Sequence, residues 1–240
     1  MSGRVRQRCE EGPILDPLFI EHYWRISRRP TRWAAWLVAV KMRKLAVPAT
    51  ARVLDVGCGP GWLSRFLSGR FPAMRFYALD LSAPMVIRAK AGLDGDEERR
   101  SVCFVVGDGC RLPFRAGQFD LVISGATLHH VGDPVAFFNE VGRVLASDGR
   151  VIISDLNGGA PKLLWPLVVL ADWIERRLRP AAVRQLSEGF VASFEAAYNA
   201  EEIERFLSRS ALAGRVCHYP RLFQHWIQTP PFEGESRAGE

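Results

Sequence analysis

From position 52 onward, short runs of apolar and β-branched residues alternate with longer stretches in which apolar residues recur every three or four positions. The runs are RVLDVG, MRFYALD, VCFVVGD, FDLVISG and GRVIISDL; between them lie GWLSRFLSGR, APMVIRAKAGL and DPVAFFNEVGRVLA. Near-continuous apolar runs bounded by turn residues predict buried strands, and the three- and four-residue spacing predicts amphipathic helices. Strands that alternate with helices predict a parallel sheet covered by helices. The last of these helices has Asp133 as its N-cap, Pro134 at its first position and Asp148-Gly149 at its exit.

Two segments depart from that rhythm. Residues 16–47 predict two helices, one carrying Phe19, His22, Tyr23 and Ile26 and the other Trp33, Trp36, Leu37 and Val40, broken at RRPT with Thr31 as the second N-cap. Residues 157–200 predict a wide apolar helix in GGAPKLLWPLVVLADWIERRLRP and a second helical stretch, an insertion packed over the sheet's edge. Beyond them NAEEIERFLSRS predicts a helix, and RVCHYP and LFQHWIQ predict strands joined by a turn at Pro220-Arg221. The expected organisation is a helical cap over 1–48, a core over 49–156, a helical insertion over 157–200, a closing helix and strands over 201–229, and a disordered tail over 230–240.

Composition narrows the class. With 240 residues, 48% hydrophobic and 24% charged, the chain can bury one sizeable core. The net charge of +6 lies wholly within residues 1–48. Arg25, Arg28, Arg29, Arg32, Lys41, Arg43 and Lys44 could attract an anionic substrate, a membrane surface or RNA, but solvated faces of two helices are the favoured account of them. No apolar run approaches the roughly 20 residues of a membrane span and no signal-peptide pattern is present, so a cytoplasmic location is expected. The cysteines at 9, 58, 103, 110 and 217 form no C-x-x-C pair, so neither a disulfide framework nor a metal site is expected.

The chemistry concentrates in VLDVGCGPGWLSRFL, residues 53–67. A strand running through glycines into a helix points backbone N–H groups at a ligand and lets it come close, which fits a nucleotide or nucleoside. Gly57, Gly59 and Gly61 form G-x-G-x-G, whereas the dinucleotide pattern needs a glycine where Trp62 stands, and no G-x-x-x-x-G-K-[ST] occurs. Asp55, two residues before the first glycine, would repel a pyrophosphate and attract a cation. Further aspartates follow the next two strands: Asp80 in YALDLS and Asp108 in VVGDGCRLPF.

LDVGCGPG resembles the first motif of the class I S-adenosylmethionine-dependent methyltransferases, and the segments over residues 50–156 follow that family's order. The resemblance implies a Rossmann-like, seven-stranded, mostly parallel sheet with helices on both faces. It also implies N-terminal helices and a helical insertion after strand 5 as a lid. The implied cofactor is S-adenosylmethionine. Asp55 would serve the ammonium of its methionine end, Asp80 both ribose hydroxyls, and Asp108 the adenine amino group. Leu81 and Cys110 would be apolar walls, and Gly57, Cys58, Gly59, Gly61, Gly109, Ser124 and Gly125 would line the cofactor's path.

Methyl transfer is then expected beyond the fourth strand, in ISGATLHHVGDP. His129 and His130 are the candidate catalytic residues, since an imidazole can take a proton from the attacking group; adjacent side chains diverge, so at most one faces the site. Adjacent histidines without a third spaced ligand make a poor metal site. Tyr23, Trp24, Trp165 and Tyr198 are candidate substrate contacts, and Asp155 is a further polar group near the mouth. The aromatic character of the cap and insertion suits a small hydrophobic or aromatic acceptor, with O-methylation favoured and C-methylation open. LHHVGDP and FEAAYNAEEIERFLSRSAL also resemble quinone-biosynthesis enzymes, which implies quinol C-methylation with peripheral membrane contact. A non-catalytic protein that binds S-adenosylmethionine is the other reading. No nucleic-acid partner is expected, because the loop lacks an Asn/Asp-Pro-Pro-aromatic signature.

Overall fold

The computed structural model describes residues 16–92, 101–178 and 189–231. Seven strands form one sheet: β1 Arg52–Val56, β2 Arg75–Asp80, β3 Val102–Val106, β4 Phe119–Gly125, β5 Leu145–Leu156, β6 Cys217–Pro220 and β7 Gln224–Gln228. Their order across the sheet is β3-β2-β1-β4-β5-β7-β6. The first five strands are parallel, and β7 runs antiparallel to both β5 and β6. Strand order reverses between β1 and β4, the place where ligands bind beyond the carboxyl ends of the strands in open α/β sheets.

The helices are α1 Pro17–Lys44, α2 Trp62–Arg70, α3 Ala83–Ala91, α4 Pro134–Val144, α5 Trp165–Leu178, α6 Gly189–Ala196 and α7 Ala200–Ser208. Alternation along the strands sorts the core into two layers. Val53, Phe76, Leu121, Ile123 and Ile152 pack against Val38 and Met42 of α1, Leu67 of α2 and Val86 of α3. Leu54, Val56, Leu79, Val122 and Ile153 pack against Phe137, Phe138 and Val141 of α4 and Ile203 and Leu207 of α7. Asp133 caps α4 by accepting from the Ala136 N–H, and Asn199 with Glu202 forms a complete capping box at α7.

The N-terminal segment departs from expectation. Residues 17–44 are one helix with Pro30 inside it, not two helices broken at RRPT, and Asp16 caps it by accepting from the N–H groups of Leu18 and Phe19. A proline removes one hydrogen bond and clashes with the preceding turn. Here the buried stripe of Ile20, Ser27, Ala35, Val38, Ala39 and Met42 runs straight past it, so packing against the core outweighs that local cost. A second difference lies at the exit of α4, where β5 begins at once with Leu145 opposite Phe119. Pairing resumes at Arg150 opposite Leu121, so Asp148-Gly149 falls inside an irregular strand entry. Most of the expected tail lies outside the described residues, as do residues 179–188 of the insertion.

Candidate functional site

Four loops gather at the carboxyl edge of β1 to β4. The first is the glycine loop. Gly57, Gly59 and Gly61 all have left-handed backbone, with φ of 75°, 51° and 77°. A Cβ on Gly57 would lie inside the Thr127 side chain, and one on Gly61 would stand 2.7 Å from the Phe104 ring, whereas one on Gly59 would meet no protein atom within 4 Å. Gly57 and Gly61 are thus glycines for internal packing, and Gly59 borders open space in which another molecule can approach its backbone.

Asp55 stands one residue before the end of β1 and points to the α2 side of the sheet. It is buried; one carboxyl oxygen accepts from Ser64 Oγ at 2.7 Å, and the other, Oδ1, has no partner. Burial pushes its pKa up to about 7, against the hydrogen bond from Ser64 and with the neighbouring Asp80 adding to the rise. A buried carboxylate oxygen without a donor is costly, and a bound cation is the group that relieves it.

Asp80 closes β2 and is held by two backbone donors, Gly59 N–H at 2.7 Å and Ser82 N–H at 2.9 Å, one on each carboxylate oxygen. Each oxygen keeps a second lone pair, so two neighbouring hydroxyls can still be accepted. Burial raises its pKa, and the two N–H bonds oppose the rise. Leu81 beside it is 59% exposed, an apolar surface left open at the same edge. Asp108, after β3, is exposed and ties down its own loop by accepting from the Cys110 N–H at 2.8 Å. The half-buried Cys110 thiol lies 3.6 Å from the Asp133 carbonyl, and burial first, then Asp108 and Asp133, pushes its pKa up to about 11. It is a protonated, unreactive wall. A Cβ on Gly109 would touch Val56 and Phe137, so its small size serves the core.

Beyond β4 the chain turns sharply. Ser124 is buried with its hydroxyl donating to the Val56 carbonyl at 2.8 Å, so it braces β1 against β4. Ala126 has φ of 52°, a left-handed backbone at a residue other than glycine, and strain of this kind collects at functional sites. Thr127 Oγ1 lies 3.2 Å from the Gly57 carbonyl and 3.1 Å from that of Gly125, joining the β4 turn to the glycine loop.

A 3₁₀ turn follows, Leu128–His130. His129 is buried, and Asp155 at the end of β5 grips it twice: its Oδ1 lies 2.6 Å from His129 Nδ1, and its Oδ2 accepts the His129 backbone N–H at 2.9 Å. Burial alone would raise the Asp155 pKa; the adjoining His129 and N–H donors from His129 and Leu156 reverse this and hold it below the usual carboxylate range. Because the ionised carboxylate only accepts, a proton on His129 Nδ1 faces Asp155, and in the neutral ring Nε2 is the acceptor nitrogen. The His130 ring lies against it, tilted by 41° with ring centroids 4.0 Å apart. One edge of His130 is exposed, yet the surrounding protein, and then His129, lower its pKa to about 4.

The four expected substrate contacts separate. Trp24 lies against Trp62 at the start of α2, 4.7 Å between ring centroids, and its carbonyl accepts from Trp62 Nε1, so α1 borders the glycine loop. Tyr23 is 37% exposed on the same helix, and Trp165, at the start of α5, is half-buried. Tyr198 is in the core with its hydroxyl donating to the Val131 carbonyl at 2.7 Å, a strut beneath the histidine turn and not a residue of the mouth. Sequence reasoning did not find Ser64 or Thr127, nor the pairing of Asp155 with His129; Ala126 it read as a small residue that lets the cofactor approach, without its left-handed backbone. The only local sign of Ser64 is a small polar residue in the first turn of α2; the other contacts join residues far apart in the chain.

Residues 54–153 match the family model described as "Methyltransferase domain". The chain is thus similar to a methyltransferase domain from β1 to β5, the strands whose loops gather at the site. It is 40% identical over 104 residues to malonyl-[acyl-carrier protein] O-methyltransferase of Hahella chejuensis, a match covering 43% of this chain and 36% of that one. It is 38% identical over 155 residues to demethylmenaquinone methyltransferase of Roseiflexus sp., covering 64% of this chain and 60% of that one. The chain therefore spans less than two thirds of the length of these relatives. In fold it is similar to a SAM-dependent methyltransferase from Aquifex aeolicus, with a TM-score of 0.59 and 19% identity over 89% of this chain and 97% of the other.

The site's own features fit the family's cofactor. The partnerless Asp55 Oδ1 suits the ammonium of S-adenosylmethionine, and the open side of Gly59 suits close approach of a nucleoside.

Proposed function

We propose that this protein transfers a methyl group from S-adenosylmethionine to a small hydrophobic or aromatic acceptor, with oxygen as the favoured acceptor atom. The observation that carries the reading is the row of Asp55, Asp80 and Asp108 along one sheet edge, with a buried, partnerless carboxylate oxygen on Asp55 that suits a cation. When bound, S-adenosylmethionine supplies an activated methyl on a sulfonium. Asp55 holds the ammonium, Asp80 the two ribose hydroxyls, and Asp108 the adenine amino group between Leu81 and Cys110. Ser124 and Gly125 keep β4 close to β1 so that these groups stay in register.

The remaining chemistry is alignment and one proton. Alignment of this kind can lower a barrier by about 7–11 kcal/mol. His129 Nε2 accepts the proton of an attacking hydroxyl, while Asp155 holds the ring and the tautomer, the division of labour seen wherever a carboxylate orients a histidine base. His130, with its pKa near 4, is neutral at physiological pH and too weak a base for that role; it packs over its neighbour. Tyr23 and Trp24, on the helix that borders the glycine loop, are the apolar groups offered to the acceptor.

Quinol C-methylation is the second reading. It is favoured by the 38% identity to a demethylmenaquinone methyltransferase over 155 residues.

The test is transfer of a labelled methyl group into a panel of phenols, quinols, amines and thiols, repeated with His129→Ala and Asp155→Asn. Phenol or quinol methylation is expected. His129→Ala should lower turnover by roughly 10²- to 10⁴-fold with cofactor affinity close to that of the parent, and should also lower the melting temperature, because it leaves the buried Asp155 carboxylate without its ring partner. Unchanged turnover would exclude the base role, and binding without any transfer would make the protein a cofactor-binding accessory.

A further inference from the structure

The outward side of α1 is apolar and aromatic where solvent should favour polar residues. Trp33 is 72% exposed and Trp36 58%, and Ile26 and Leu37 are exposed beside them. The buried residues of this helix, from Ile20 to Met42, occupy the opposite face, so the tryptophans mark its outermost arc. The two indole rings pack edge to face with centroids 6.1 Å apart, which makes them one patch. Around it stand Arg25, Arg29, Arg32, Arg43 and Lys44, all exposed. The acidic residue within α1, Glu21, is committed to Arg88 and Arg25. Exposed tryptophans ringed by cations fit the headgroup level of a lipid bilayer with negative surface charge.

A second feature adjoins the patch. Between the last turns of α1 and the end of β7 lies a cleft of about 280 Å³, walled by Leu37, Val40 and Leu45 and flanked by Lys41 and Lys44. The Lys41 ammonium donates to Gln228 and lies over the Trp226 ring, and aliphatic walls with the exposed Lys44 at the rim match an amphiphile with an anionic head. Among the described residues no helix is long and apolar enough to cross a membrane, so the contact would be made at the surface.

We propose that the outer face of α1, with the cleft at its C-terminal end, docks on an anionic phospholipid membrane. The geometry has a functional consequence. The same helix borders the glycine loop through Trp24 and Trp62, so docking would bring the proposed methyl-transfer site close to the lipid, where a hydrophobic acceptor resides.

The experiment is sedimentation of the full chain with vesicles of phosphatidylcholine alone or of equimolar phosphatidylcholine and phosphatidylglycerol, across a salt series. It needs no methyl transfer, so it succeeds or fails independently of the enzymatic reading. Binding to the phosphatidylglycerol vesicles is expected, weakening as salt rises. The variants Trp33→Ser/Trp36→Ser and Arg29→Glu/Arg32→Glu should each lower the vesicle affinity by roughly tenfold or more, with unchanged melting temperature because all four side chains are exposed. Absence of binding, equal binding to the neutral vesicles, or indifference to both variants would overturn the proposal. So would a dimer that sediments as such without lipid and dissociates in Trp33→Ser/Trp36→Ser, which would assign the patch to a second copy of the chain.

Discussion

Gly57 and Gly59 sit two residues apart with the same left-handed backbone, but an alanine at each should have a different consequence. At Gly59 the cost to the fold is the left-handed conformation alone, about 1–2 kcal/mol, since the space beyond is open. That space belongs to the proposed cofactor, so Gly59→Ala should bind S-adenosylmethionine at least tenfold more weakly while remaining folded. At Gly57 the new methyl would collide with Thr127, whose hydroxyl bridges two carbonyls, and Gly57→Ala should lower the melting temperature more steeply than Gly59→Ala does. Thermal melts and calorimetric titrations of the pair check this. Equal stabilities, or full cofactor affinity in Gly59→Ala, would contradict the assignment of the two glycines.

At the scale of elements, α1 shows where local rules gave way. RRPT reads as a break because proline cannot donate to the helix ladder, and that penalty is about 3 kcal/mol in a helix interior. The stripe running from Ile20 to Met42 lies against α2, α3 and the sheet, and this burial keeps the helix continuous. Pro30→Ala should therefore stabilise the protein, by about 1–3 kcal/mol after the greater freedom of the unfolded chain is allowed for. A differential scanning calorimetry trace shifted downward would show instead that proline is matched to its place. The sheet was far more legible than this helix. Its strands are near-continuous apolar runs between turn residues, and their edge carries G-x-G-x-G and the aspartates that close or follow them. What the sequence did not disclose depends on contacts between distant positions. Ser64 reaches Asp55, Asp155 clasps His129, and Tyr198, which reads as a polar residue near the mouth, donates to Val131 from inside the core.

For the molecule as a whole, the parallel half of the sheet carries the proposed cofactor groups, and the reversed strand β7 pairs with β5 where β5 presents Asp155. The basic, aromatic α1 lies along one layer of the core and reaches the glycine loop at its N-terminal half. On the proposed role of Asp55, cofactor binding depends on the ionisation of one buried group. Below about pH 7 Asp55 is protonated and cannot attract an ammonium; above it the carboxylate forms, and a bound cation stabilises the charged state. The most direct measurement is a calorimetric titration of S-adenosylmethionine into the parent protein and into Asp55→Asn from about pH 5 to 8, with NAD as the comparison ligand. The parent should bind S-adenosylmethionine and not NAD, with affinity rising toward tenfold per pH unit below 7 and levelling above it, and Asp55→Asn should bind weakly without that rise. Failure of the parent to bind S-adenosylmethionine, or the same affinity and pH profile in Asp55→Asn, would contradict the account.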